Sequence, residues 1–141
     1  MNAKQDMRSG CAIANALDIL GDRWTMIIIR DLMFTNRNEF GHMLNSGEGI
    51  STNILSERLA RLQCHSVITK EPHPDHGKKF CYSLTDKGRK LAPTLIELSL
   101  WATDSIDNTM VPPVLFEMMK KDRKELLRKV NAQEAIVILD L

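Results

Sequence analysis

Residues 50–85 read ISTNILSERLARLQCHSVITKEPHPDHGKKFCYSLT, and the order of helix, strand, Pro/Gly turn and strand within them decides the fold. Ser51 and Thr52 open the helix, where a hydroxyl can accept from an otherwise unpaired first-turn N–H. Leu55, Leu59 and Leu62 recur at spacings of four and three, which places them on one apolar stripe. Asn53, Glu57 and Ala60 fall on the opposite side, with Ser56 beside them. A helix that enters the DNA major groove needs such a face: slim, with donors and acceptors for base edges. An ordinary amphipathic surface helix shows the same pattern, so the segment after the helix has to decide between the two.

That segment is a basic hairpin. Residues 67–70 and 80–84 are rich in β-branched or aromatic side chains, which suit a half-buried pleated surface. Pro72, Pro74, Asp75 and Gly77 punctuate the turn between them. Lys70, Lys78 and Lys79 sit on or beside that turn, where they can follow a phosphate backbone. Residues 50–91 hold eight Lys/Arg against four Asp/Glu, although the whole chain carries only +1. The local charge, not the global one, permits nucleic-acid binding.

The rest of the composition bounds the class. A chain of 141 residues with 43% hydrophobic and 26% charged content fits one globular domain with a real core. No apolar run approaches the roughly 20 residues of a membrane span. MNAKQDMRSG at the start lacks the apolar core of a signal peptide. Cys11, Cys64 and Cys81 are odd in number and widely spaced, which argues against a disulfide scaffold and for a reducing cytoplasm. Repeats and low-complexity segments are absent.

Around the central unit, periodicity predicts a helix over residues 11–20 with Ile13, Ala16, Leu17 and Leu20 buried, broken at Gly21-Asp22. A second helix is expected over residues 23–33 (Trp24, Ile27, Ile28, Leu32) and a short one over 40–45. Ser46-Gly47-Glu48-Gly49 is then the turn of a helix-turn-helix. Thr85 is a plausible cap for a long helix reaching about Asn108, with Leu91, Leu95, Leu98 and Ala102 on its stripe; Pro93 conflicts with that reading unless the helix kinks or starts later. Pro112-Pro113 closes this unit. Residues 114–130 are amphipathic, and AIVILDL at the end reads as a terminal strand or a partner-binding arm. The expected division is a DNA-binding and dimerisation unit over 1–110 and a helical extension over 111–141, packed on the same domain or on a dimer partner.

Several side chains invite chemistry. Cys11, at a predicted helix start with Arg8 nearby, is the candidate thiol switch, because a helix N-terminus or a cation favours the thiolate; its alternative is packing at a dimer interface. Cys64 and Cys81 read as structural. Cys64, His65, His73 and His76 match no standard zinc spacing. Trp24 and Trp101, among Ile and Leu at helical spacing, read as core. Met110, Met118 and Met119 suit dimer packing better than a ligand pocket. No Gly-rich phosphate loop, catalytic triad or metal triad appears, so no enzyme activity, cofactor or metal is expected.

The chain resembles the HxlR-type winged helix-turn-helix transcriptional regulators. The resemblance rests on Cys11, the run from Ala16 to Thr25 (ALDILGDRWT), Ile28-Ile29-Arg30-Asp31-Leu32, Arg37 with Phe40, and Gly49-Ile50-Ser51. It continues through Leu55-Ser56-Glu57-Arg58-Leu59, Leu62, Tyr82-Ser83-Leu84-Thr85, Gly88, Leu91 and Trp101-Ala102. Where that family has Cys-Pro, this chain has Cys11-Ala12. The resemblance implies a dimer that regulates nearby genes and a cysteine before the first helix that senses electrophiles or oxidants.

The expectation is therefore an α+β winged helix-turn-helix, with about five to six helices and a two-stranded wing. It is expected to bind double-stranded DNA as a homodimer, away from membranes, with a possible small-molecule or oxidant effector. Ser51, Thr52, Asn53 and Ser56 would face the groove; Arg37, Arg58, Arg61, Lys78 and Lys79 would reach phosphate or, for the helix arginines, a guanine edge. Two alternatives are a winged-helix interaction module without DNA binding and a MarR-like regulator with a ligand pocket at its dimer interface.

Overall fold

The computed structural model describes residues 8–141; the expectation about the N-terminal stretch lies for residues 1–7 outside the described residues. The elements run α1 Ala12–Leu20, α2 Thr25–Phe34, α3 Phe40–Leu44, α4 Thr52–Cys64, β1 Ile68–Pro72, β2 Phe80–Leu84, α5 Asp86–Arg89, α6 Ala92–Ser105, α7 Pro113–Lys121 and α8 Arg123–Asn131. This is the expected winged helix-turn-helix. Helices α3 and α4 form the helix-turn-helix, and the antiparallel β1–β2 hairpin is the wing, with Ile68 opposite Leu84 and Pro72 opposite Phe80. The far edge of β2 is met by residues 38–39, where the Tyr82 N–H donates to the Asn38 carbonyl at 2.8 Å.

One core joins these elements. Ile28, Ile29 and Phe34 of α2 pack with Leu55, Leu59 and Leu62 of α4, Leu95 and Ile96 of α6, and Leu115, Met119, Leu126 and Val130 of α7 and α8. The Leu55/Leu59/Leu62 stripe is the one read from its spacing. Each of these leucines contributes roughly 1.5–3 kcal/mol by leaving water. The 111–141 segment thus supplies four buried side chains to the same core as the winged helix.

Two helices differ from their expected course. The long helix after Thr85 is two pieces. Thr85 does cap, its hydroxyl accepting from the Gly88 N–H at 3.1 Å, but it caps the one-turn α5. The long helix begins again at Ala92, with Pro93 in its first turn, where a proline removes no intrahelical hydrogen bond. The predicted 114–130 helix is also divided. Asp122, a weak helix former, closes α7 and precedes α8, with backbone angles outside the helical region.

The terminal AIVILDL docks on its own chain as a strand-like segment. The Val137 N–H donates to the Phe34 carbonyl at 2.9 Å. Asn36 brackets Leu139, donating to its carbonyl and accepting from its N–H, both at 2.9 Å.

Two burial expectations are overturned. Helix α1 has no buried residue: Ile13 is 72% and Leu17 57% exposed. Trp101, expected in the core, is 60% exposed, and Leu98 on the same helix is also exposed. Periodicity finds an apolar stripe but does not say which chain covers it. Among the described residues, no helix is long and apolar enough to cross a membrane.

Candidate nucleic-acid interface

Helix α4 is presented by a tight turn. Gly47 and Gly49 have φ of +91° and +82°, the left-handed region that glycine enters without steric cost. Ile50 is buried behind them, and the Ser51 hydroxyl accepts from the Ile54 N–H at 3.3 Å, capping the helix as expected. Thr52, Asn53, Ser56 and Ala60 are exposed, with Asn53 and Ala60 on the face opposite the leucine stripe and Ser56 beside them.

The wing is reached through Ser66, a serine with φ of +58°. The Val67 N–H returns to the Leu62 carbonyl at 3.0 Å, a helix end closed by a left-handed residue. Lys78 and Lys79 at the wing tip are exposed, with no ion pair among the described residues. Lys70 lies over the Phe80 ring at 4.2 Å, which holds its charge on the exposed side of the hairpin. Lys87 and Arg89 are used differently: they donate to the His65 and Leu84 carbonyls at 2.7 and 2.6 Å, tying α5 to the wing base.

In the structure each of the three candidate arginines is turned onto a carboxylate. Arg58 Nε donates to Asp22 Oδ1 at 3.0 Å, and Arg61 donates to Asp22 Oδ2 at 2.7 Å and to the Ile19 carbonyl at 3.3 Å. Arg37 lies 3.6 Å from Asp31, which is almost fully buried and also bonded by Arg30. A carboxylate removed from water must be paired, as Asp31 is; in the single chain Arg58 and Arg61 are likewise engaged with the partly buried Asp22.

Asp22 and Asp31 are the residues that sequence reading missed. Asp22 accepts from the backbone N–H groups of Trp24 and Thr25 at 2.8 and 3.1 Å, so it also caps α2. Partial burial works to raise its pKa, but the hydrogen bonds from Thr25, Trp24 and Arg58 win and hold the carboxyl well below the usual carboxylate range. The available signal was local: an Asp just before a predicted helix start is a cap. Burial pushes the Asp31 carboxyl up from its ordinary value, although Arg30 and Arg37 pull the other way. Its signal was a lone acid within an apolar helix, flanked by two arginines.

The three cysteines are free. Cys11 is exposed at the N-cap of α1, its N–H donating to Ser9 Oγ at 3.1 Å. Arg8, read as a possible activator of this thiol, instead pairs with Asp18 at 3.1 Å. Cys64, read as structural, is exposed near the end of α4. Cys81 is half-buried, and burial together with Glu39 pushes its thiol up, which disfavours the thiolate. His42 and His73 both approach Glu39, at 2.7 and 3.5 Å. No group of three His, Cys, Asp or Glu side chains suited to a metal ion occurs among the described residues.

Comparison with known proteins places this arrangement. The family model for the HxlR-like helix-turn-helix matches residues 19–110. The HTH-type transcriptional regulator YvaP of Bacillus subtilis is 39% identical over 92 residues, covering 65% of this chain and 84% of that protein. The crystal structure of PA1607 is similar with a TM-score of 0.68 at 35% identity, covering 82% of this chain and 78% of that one. The reduced form of the transcriptional regulator YodB from Bacillus subtilis is similar with a TM-score of 0.57 at 28% identity, over 70% of this chain and 97% of that one. With α3, its two-glycine turn, α4 and the wing all inside the matched span, the chain belongs to the HxlR-like helix-turn-helix family of transcriptional regulators.

Proposed function

We propose that this regulator binds specific double-stranded DNA as a homodimer in the cytoplasm, with no catalytic role. The observation that carries the reading is the exposure of Ser51, Thr52, Asn53 and Ser56 on α4, together with that of Lys78 and Lys79 on the wing, which have no ion pair among the described residues. Small polar side chains read base edges, while the lysines supply affinity that does not depend on sequence. Arg58 and Arg61 act as positioning residues that fix α4 through Asp22, and Arg37 performs a similar service for Asp31. Residues 111–141 complete the core of the winged-helix unit.

The deciding experiment is selection of bound sequences from a random DNA pool by the purified dimer, before and after diamide. Recovery of a palindromic motif supports the reading, since two symmetric recognition helices match half-sites about one DNA turn apart. Failure to select any motif favours the interaction-module alternative. An oxidant effector is proposed through Cys11, on the exposed thiol and on the similarity to YodB, for which a diamide-treated form is known at 30% identity. Release of DNA by diamide from wild type but not from Cys11→Ser would support it; an equal response would not.

Two substitutions separate the roles of wing and helix. Lys79→Ala is expected to lower the log–log salt slope of DNA binding by about one, since each neutralised phosphate contributes roughly 0.9. It should weaken every DNA sequence alike; an effect confined to one base position would remove Lys79 from the backbone. Asn53→Ala is expected to change the selected motif while leaving the salt slope nearly intact. An amide paired with adenine discriminates by roughly 1–3 kcal/mol, so an unchanged motif would take Asn53 out of base recognition.

A further inference from the structure

A cavity of about 420 Å³ lies between α2, α6, residues 110–115 and the C-terminal segment. Its apolar walls include Met26 and Ile27 of α2, Leu95 and Leu98 of α6, Leu115 and Val137. The last two belong to the segment beyond the family match, so this chain's own extension closes the site. One end is polar: Arg30, Arg37, Ser46 and Glu48 line it. The size and the mixture of apolar walls with a few convergent polar groups are those of a small-molecule site.

The polar end is incompletely paired. Arg37 Nε and Ser46 Oγ are buried among the described residues without a protein partner, and a buried donor left unsatisfied is destabilising. Arg37 Nε can only donate and the Ser46 hydroxyl can donate, so an acceptor satisfies both; Asp31 Oδ2, in the same cluster, is likewise buried without a partner. Arg30 divides its guanidinium between buried Asp31 at 2.9 Å and Glu48 at 2.8 Å. Arg30 and Arg37 balance Asp31 and Glu48, so an arriving anion keeps the cluster neutral only by displacing one of the two carboxylates. Glu48 is the one that can leave. Its side chain is 41% exposed against 1% for Asp31, and it stands in the turn between Gly47 and Gly49.

We propose that this cavity is an effector site for an amphipathic monocarboxylate, an apolar or aromatic body with a single carboxylate that takes Glu48's place on Arg30 and accepts from Arg37 and Ser46. The apolar body lies along Met26, Leu95, Leu98 and Leu115. Release of Glu48 frees the turn that leads directly into the Ser51 cap of α4. The site stands without any reference to DNA; its consequence for DNA rests on the function proposed above.

Phenylbutyrate, phenylbutanol and phenylbutylamine are the probes, titrated by calorimetry into the purified full chain without DNA. The carboxylate is expected to bind at a single site at least about tenfold more tightly than the alcohol or the amine, the gain from one charge-assisted pair. Glu48→Gln, which removes the internal competitor, is expected to tighten phenylbutyrate binding severalfold, and Arg37→Gln to weaken it. Because Arg37→Gln leaves Asp31 less compensated, Ser99→Phe is the second variant: it fills the cavity from α6, leaves every charge in place and is expected to abolish binding with the fold intact. Equal binding of carboxylate and alcohol, no binding of phenylbutyrate, no tightening in Glu48→Gln, or full binding in Ser99→Phe would each overturn the proposal. On DNA, phenylbutyrate should weaken the wild-type complex and leave Ser99→Phe unaffected. A chain that binds the carboxylate but no DNA overturns the regulator reading and leaves the site standing; a DNA complex indifferent to bound phenylbutyrate overturns the coupling through Glu48.

Discussion

Asp22→Ala is expected to destabilise the protein by about 3 kcal/mol, the size of a lost helix cap together with lost hydrogen bonds to partly buried charged groups. Its carboxylate serves three elements at once. It caps α2 through the N–H groups of Trp24 and Thr25, accepts from the Thr25 hydroxyl, and neutralises Arg58 and Arg61 of α4. Loss of the cap alone costs about 1 kcal/mol. Leaving the Arg61 guanidinium without its carboxylate, and Arg58 with Glu57 alone, adds the rest. The pH dependence is set by the direction of the shift. Folding lowers the Asp22 pKa, so its contribution is complete above the unfolded value of about 3.9 and is lost as pH falls through the lower folded one. Urea titrations at neutral pH and near pH 3 measure this: the gap between wild type and variant should narrow on acidification. A neutral-pH difference below about 0.5 kcal/mol, the size of an ordinary surface substitution, would show that Asp22 holds nothing together.

Leu17→Asp combined with Trp101→Asp is expected to convert the protein to a folded monomer and to lower DNA affinity at least about a hundredfold, the loss incurred when two linked binding modules are separated. Ile13, Leu17, Leu98, Trp101, Ile106 and Met110 are all exposed large apolar side chains. Helix α1 is tied to the core at its C-terminal end by Leu20 and by the Arg61–Ile19 hydrogen bond, and Ile13 and Leu17 of its apolar stripe are left for a second surface to cover. Trp101 has the properties of an interface anchor, since a buried tryptophan removes some 150–250 Å² from water. Because both replaced side chains are exposed in the single chain, the circular dichroism spectrum and melting should change little. Sedimentation equilibrium at micromolar concentration reads the mass. A wild-type monomer that still binds palindromic DNA tightly would refute the dimer.

Local rules made most of the fold legible. The Leu55/Leu59/Leu62 spacing, the Ser51 and Thr85 caps, the Pro/Gly turn of the wing and the misfit of Pro93 each depend on residues within a few positions of one another. The exposed polar face of α4 and the lysines of the wing tip were legible for the same reason, because a helix or hairpin assigns faces by its own period. Tertiary structure alone decided the partner of each long or charged side chain. Arg58 and Arg61 have the residue type of phosphate ligands, yet Asp22, 36 and 39 positions away, takes both. Asn36 meets Leu139 across 103 positions, which no period encodes. Trp101 was read as core and the α1 stripe as a buried face, on helices also expected to hold a dimer, because apolar character is intrinsic to the residue, whereas burial depends on whatever surface arrives to cover it. Short-range geometry is set by the backbone's own sterics and hydrogen bonds; ion pairs and burial are set by which distant groups share a place out of water, and that is known only once the chain has closed on itself.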